Sequence, residues 1–395
     1  MPTILIAAVF AAAAAAQVTQ PRQFIYPPEF SPGRPYSPGV LAGDTLYISG
    51  QVDKDPRTGA QPSGIRDQTR LAMANMGHVL RAARMDFGHV VTCHVQLKDM
   101  GNYKEMNEAY GSFFKPGEYP ARTTLEFPGL PGGANIEVTC IAYRDKSKIS
   151  GVVPAPGTFP APGGPYRAGV WAGDTLYVSG TGGRNPQGGQ LDPTIEGQTR
   201  QSLANINAVI TAAGLQMKDT VFSNVYFLDP DGYQGTTYGK LNSVYKDAFK
   251  LGLAPSRASF CLSKLPGTIS VELTFIASRD GSKGRVVPDS AGPSPTSSNG
   301  GVIANGTLYT SGKSGNGSAL EEQMRDSIRS IEAILKLSGM DLRNVVDTHV
   351  YLQDIGQMDA MNAVSREFFP RNPPARTTLQ VIQRQLVQVQ AVAVR

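Results

Sequence analysis

The sequence is poor in the residues from which most covalent and metal chemistry is built. Its 395 residues include three cysteines and four histidines. Cys93, Cys140 and Cys261 are odd in number and form no CxxC pair, which argues against a disulfide framework or a zinc site. Cys93 in "VVTCHVQL" and Cys140 in "IEVTCIAY" fall in strand-like runs and read as small buried hydrophobes; a single bridge between them is the alternative in an exported protein. No metal-ligand set and no nucleophile–histidine pair is visible, and no cofactor is implied. A long basic run is also missing: the net charge of +5 is spread along the chain, whereas nucleic-acid binders concentrate their charge in a stripe. After the N-terminus no apolar run approaches the roughly 20 residues of a membrane-spanning helix. An apolar fraction of 41% with 43 glycines and 29 prolines suits well-formed cores joined by many turns.

The N-terminus reads "MPTILIAAVFAAAAAAQVTQP". Its apolar run, Ile4 to Ala16, is too short to span a bilayer and ends in Ala-Ala-Ala before Gln17, as a signal-peptide cleavage site would. We therefore expect residues 1–20 to be a signal peptide and short tail, cleaved after Ala16, and the mature protein to be periplasmic or secreted with no membrane attachment. A cytoplasmic location follows instead if the run is not a signal. No cysteine follows it, which argues against a lipid anchor.

Three stretches align without gaps: "AGDTLYISGQ" (42–51), "AGDTLYVSGT" (172–181) and "ANGTLYTSGK" (304–313). Each is a turn followed by a strand ending in Ser-Gly. A helical segment follows each time. Met73, Met76, Leu80 and Ala83 share one face of the first, Leu203, Ile206, Ile210 and Ala213 one face of the second, and Ile328, Ile331 and Leu335 one face of the third. Gly214 and Gly339 are placed to end the latter two. A strand, a second helix, an arginine-bearing strand and a last strand complete each unit. The order is strand, strand, helix, strand, helix, strand, strand, an α+β pattern with helices on one face of a mixed sheet. Such a sheet needs its other face covered. The units run over 21–149, 150–285 and 286–395, joined by Pro/Gly/Ser-rich linkers at 150–165 and 286–301.

Each unit resembles a domain of the Rid family, also called YjgF or L-PSP endoribonuclease-like. The resemblance rests on "PYSPGV", "LYISGQ", "MNEAYGSFF", "PARTTLE" and "IEVTCIA" in the first unit, on "PYRAGV", "LYVSG", "LNSVYKDAF", "PSRASF" and "VELTFIA" in the second, and on "LYTSG", "MNAVSREFF" and "PARTTL" in the third. It implies three tandem chorismate-mutase-like domains. Family members assemble as trimers with inward-facing sheets and sites between neighbours, so an intramolecular pseudo-trimer and a monomeric chain are expected here. The implied activity is metal-independent hydrolytic deamination of reactive enamines and imines (2-imino acids) to 2-keto acids and ammonia.

The residues suit that chemistry. Arg122, Arg257 and Arg376 match the family's carboxylate-binding arginine, and a guanidinium meets a carboxylate with two parallel hydrogen bonds. Glu137 and Glu272, each fifteen residues after its arginine, match the glutamate that positions or activates water. Both lie on the strand face opposite Ile136, Val138 and Cys140, or Val271, Leu273 and Phe275. Tyr36, Tyr166, Gly50, Gly180, Asn107 and Asn242 match further cleft positions. His94 and His349 share one strand position, but the second unit has Asn224 there, so they read as structural. The sequence departs from the family in two ways. Thr124, Ser259 and Thr378 stand where many members carry a cysteine. The third unit is degenerate: it keeps Arg376, Asn362 and Ser311-Gly312 but has Gln388 for the glutamate and Thr296 for the tyrosine. Two other functions compete with the deaminase: a non-catalytic module that holds a small carboxylate in the arginine clefts, and, against the scattered basic charge, a ribonuclease.

Overall fold

The computed structural model describes residues 21–230, 235–249, 254–280, 286–287 and 298–395. The expected signal run, Thr296 and most of the second linker lie outside them.

The first unit consists of β1 (Arg22–Ile25), β2 (Gly39–Ala42), β3 (Thr45–Val52), α1 (Ile65–Ala82), β4 (Val90–Leu97), α2 (Tyr103–Gly111), β5 (Ala121–Glu126) and β6 (Ile136–Tyr143). The second repeats it with β7 (Ile149–Val152), β8 (Gly169–Ala172), β9 (Thr175–Gly182), α3 (Ile195–Ala212), β10 (Thr220–Phe227), α4 (Thr236–Asp247), β11 (Ser256–Cys261) and β12 (Val271–Ser278). The third comprises β13 (Val286–Val287), β14 (Gly301–Ala304), β15 (Thr307–Thr310), β16 (Lys313–Ser314), α5 (Leu320–Leu337), β17 (Val345–Leu352), α6 (Met358–Phe368), β18 (Ala375–Gln380) and β19 (Val387–Val394). The α+β reading and the three tandem domains hold. The strand order is β1-β2-β3-β6-β4-β5 in the first sheet, and the same order recurs in the other two. In each, the next-to-outermost strand (β4, β10 or β17) pairs in parallel with the arginine strand and antiparallel with the last.

Two expectations need correction. Each sheet opens with an edge strand that the sequence reading left out. Two of these, β7 paired with β8 and β13 paired with β14, show that 150–152 and 286–287 belong to sheets and are not linker. Cys93 and Cys140 are buried, as expected, but they are also disulfide-bonded. They face each other in the β4–β6 ladder, where cross-strand Cβ atoms come within about 5 Å. Cys261 is free and buried, and burial pushes its thiol up to about 11.

Within each unit the apolar stripe of the long helix packs on the sheet; Met73, Met76 and Leu80, Ile206 and Ile210, and Ile331 and Leu335 are all fully buried or nearly so. The opposite sheet faces meet the other units. Val40 and Tyr47 pack with Val346 and Val394, Val91 and Ala121 with Val170 and Tyr177, and Val221 with Val302 and Tyr309. Leu125, Phe260 and Tyr351, one from each unit, share a further cluster. The tyrosine of each "TLY" thus leaves its own helix-covered core for a seam between units.

His94, Gln96, Tyr226, His349 and Tyr351 line a small chamber among β4, β10 and β17. Burial holds the His94 imidazole neutral, with its pKa down to about 3, and His349 Nε2 lies 3.1 Å from Asp347. Both histidines belong to this inner packing. Among the described residues no helix is long and apolar enough to cross a membrane.

Candidate active site

The Ser-Gly that ends each first-repeat strand is a bulge or a break. Pairing of β3 with β6 shifts register between Ile48 and Gln51, pairing of β9 with β12 shifts across Ser179-Gly180, and in the third unit the strand is interrupted at Ser311-Gly312. A bulge re-aims side chains and frees backbone groups from the ladder. Here the freed serine reaches another unit. The Ser179 hydroxyl accepts the backbone N–H of Arg122 at 2.8 Å, the Ser311 hydroxyl that of Arg257 at 2.9 Å, and the Ser49 hydroxyl that of Arg376 at 2.8 Å. The contacts run from the first unit to the second, the second to the third and the third back to the first.

Those contacts pair each arginine with the next unit's last strand. Beside Arg122 lies Glu272; beside Arg376 lies Glu137. The Arg257 strand meets the third unit, where both Gln388 and Ala258 lie against Gly312. Every sequence-expected site residue outside the undescribed segments therefore falls at one of three clefts, and the charged partners come from different units.

In the first cleft the Arg122 guanidinium is enclosed by aromatic rings, with Tyr110 at 5.0 Å, Tyr166 at 5.3 Å and Tyr103 at 5.9 Å from its central carbon. Tyr103 also accepts a 3.4 Å hydrogen bond from Nη2. Nη1 has no partner, and neither does the buried Oδ1 of Asn107. Cleft three has Arg376 donating to Asn362 Oδ1 at 2.7 Å, with Tyr36 at 5.1 Å. Its guanidinium is so buried that its pKa falls to about 10, which leaves it cationic at neutral pH. In the remaining cleft Arg257 donates to Asn242 at 2.9 Å and to Tyr238 at 2.7 Å, over the Tyr245 ring. The sequence reading missed the Tyr103/Tyr110 and Tyr238/Tyr245 pairs. The signal was available: each pair brackets its asparagine at i, i+4, i+7 on one helix face. The third unit has Met358 and Ser365 instead.

Glu137 and Glu272 are 2% and 5% exposed. Burial pushes both carboxyls up to about 8, opposed in part by Arg376 and Arg122 respectively. Desolvation thus outweighs an adjacent cation and favours the protonated form of each carboxyl at neutral pH. A side chain on Gly50 or Gly180 would overlap the carboxyl, which lies 1.6 Å or 2.1 Å from the place of a Cβ. The glycines therefore make room for the acids.

Buried polar atoms without partners gather at the clefts: Glu137 Oε2, Gln388 Oε1, and the hydroxyls of Thr124, Ser259 and Thr378 at the same position of all three arginine strands. Buried polar groups are almost always paired, so such a concentration marks a place for water or ligand. The Arg122–Glu272 cleft opens into a cavity of about 340 Å³ whose lining includes Arg122, Thr124, Tyr166, Gly180 and Glu272. Among the described residues no cluster of histidine, cysteine, aspartate and glutamate is placed to hold a metal ion.

Known proteins share this arrangement of sequence. The human 2-iminobutanoate/2-iminopropanoate deaminase is 40% identical over 111 residues, 28% of this chain and 80% of that one. A RutC family protein of Pyrococcus horikoshii is 40% identical over 112 residues, 28% of this chain and 88% of its own. The crystal structure of a putative endoribonuclease from Thermotoga maritima, 29% identical, covers 31% of this chain and 98% of its own with a TM-score of 0.29. The family model Endoribonuclease L-PSP matches at 28–144, 157–279 and 292–394. The chain therefore belongs to the Endoribonuclease L-PSP (Rid/YjgF) family and carries its domain three times in tandem.

Proposed function

We propose that the protein hydrolyses 2-imino acids and their enamine tautomers to 2-keto acids and ammonia, in the Arg122–Glu272 and Arg376–Glu137 clefts of a single chain closed on itself as a pseudo-trimer. The observation that carries this reading is a buried carboxyl held protonated beside a buried arginine with an unpartnered Nη1, both facing one cavity. The names of relatives such as the human deaminase support the reaction class.

The guanidinium receives the substrate carboxylate and fixes the imine carbon next to the acid. That carboxylate offsets the arginine's charge, so the glutamic acid stays protonated. It gives its proton to the imine nitrogen, which makes the carbon electrophilic. The resulting carboxylate takes a proton from water as the water oxygen bonds to that carbon, forming a carbinolamine. The acid then returns the proton to nitrogen, the C–N bond breaks and ammonia leaves, and the carboxylate takes the hydroxyl proton as the carbonyl forms, which restores the acid. One water is consumed for each ammonia released. The Arg257 cleft has Gln388 in place of a glutamate, an amide that donates and accepts hydrogen bonds without transferring a proton; it holds a carboxylate without turnover. The Cys93–Cys140 bridge supports an oxidising, exported location.

The test is ammonia release from freshly generated 2-iminobutanoate. Arg122→Ala and Arg376→Ala together should lower it about 100-fold or more, and kcat/KM should fall as pH rises past about 8, where Glu137 and Glu272 ionise. Carboxylate binding without any ammonia release would favour the holding module.

A further inference from the structure

The Arg122–Glu272 cavity has a second cationic group. Besides the residues around the reacting end, it is lined by Arg184, Pro266 and Gly267, with Phe159, Pro160 and Ile269 supplying apolar wall. Its volume of about 340 Å³ is in the range of sites for ligands larger than a four-carbon imino acid. Arg184 follows Gly180 by four residues along β9 and its extension, at most roughly 13 Å of extended chain. Its guanidinium rests on Gly267, where a Cβ would lie 2.9 Å from Nη2, and Nη1 donates to Gly189 O at 3.2 Å. The side chain is half-buried, so its charge keeps more strength than on an open surface.

The other clefts differ at this place. Lys54 occupies it in the first unit and donates its ammonium to Gly132 O. Asn316 occupies it in the third and is bonded to Asp326. A guanidinium alone of the three offers a planar pair of donors that fits a second carboxylate.

We propose that the Arg122–Glu272 cleft takes 2-imino acids bearing a second carboxylate, Arg122 holding the α-carboxylate and Arg184 the distal one. This rests on the deaminase reading of the same cleft. The chemistry at the imine carbon is unchanged: water adds, the C–N bond breaks, and a keto diacid and ammonia leave.

The experiment uses the full chain carrying Glu137→Gln, which silences the other competent cleft. Imino acids are generated in place from glutamate and from 2-aminobutanoate with an amino-acid oxidase, and ammonia release is followed. The diacid should be preferred. Arg184→Gln should lower the diacid-to-monoacid ratio of kcat/KM about tenfold, mainly through KM, and Arg184→Lys should restore part of it. An unchanged ratio overturns the proposal. Should neither imine be hydrolysed, the deaminase reading fails and the distal site is tested by calorimetry with 2-oxoglutarate and 2-oxobutanoate. Selective weakening of the diacid by Arg184→Gln then supports it, and equal binding of the two by the parent overturns it.

Discussion

Arg84 stands where Gly214 and Gly339 end the corresponding helices, and all three adopt the left-handed backbone, with φ of 60°, 77° and 69°. A β-carbon is unfavourable there, and the exposed Arg84 side chain has little to lose. Arg84→Gly should therefore stabilise the protein by about 0.5–1 kcal/mol, read from chemical denaturation; a destabilised variant would show that the arginine makes a contact worth more than the strain. The two buried acids act in the other direction. Their folded-state pKa of about 8 lies above the ordinary carboxyl value of 4.5, so the folded chain binds more protons than the unfolded one between those limits. Stability is fully present below about pH 4.5 and falls as pH rises through 8. Glu137→Gln with Glu272→Gln should remove most of that fall, of order a few kcal/mol, while abolishing deamination. Denaturation midpoints at pH 5 and pH 8.5 decide it; a variant with the parent's pH slope would place the acids in a wetter setting. These residues were legible to different degrees. Arg122 and Glu137 stood out because their spacing recurs. Tyr103 and Tyr110 lie on α2 with buried Met106 and Ala109, so core and site residues share one helix and the pattern alone does not separate them. Arg184 belongs to no repeated motif.

The bulge at Ser-Gly is the element that turns an interior strand into a site, because it aims one hydroxyl at another unit and clears space for a carboxyl. Gly180→Ala would put a Cβ 2.1 Å from Glu272 Oε1 and 2.9 Å from Thr123 Oγ1. In a Glu137→Gln background, ammonia release should drop about 100-fold as the acid is displaced, with stability lowered by about 1–3 kcal/mol. Unimpaired turnover would mean that Glu272 has a second workable position. The helices and inner strands could be read from periodicity, since their apolar faces repeat at helical or strand spacing. The edge strands β1 and β7 could not: "RQFI" and "ISGV" are four residues each, too short to show alternation, and their pairing is set by the strands they join.

At the scale of the whole chain, the sequence left open which arginine would face which glutamate. That depends on contacts such as Arg376 with Ser49, 327 residues apart, which no local pattern encodes. Because the inner sheet faces already cover one another through Tyr47, Tyr177 and Tyr309, we expect the chain to sediment as a monomer; a stable trimer of whole chains would show that the seams are exchanged between molecules. The serine-to-arginine contacts that run from each unit to the next and back to the first have a further consequence. In an assembly of identical subunits one mutation alters every site at once, so a loss in one is a loss in all. Here each site has its own codons. Gln388, Arg184 and Met358 could each arise in one cleft while a neighbour kept the older chemistry, and natural selection can act on the three as separate loci within one molecule.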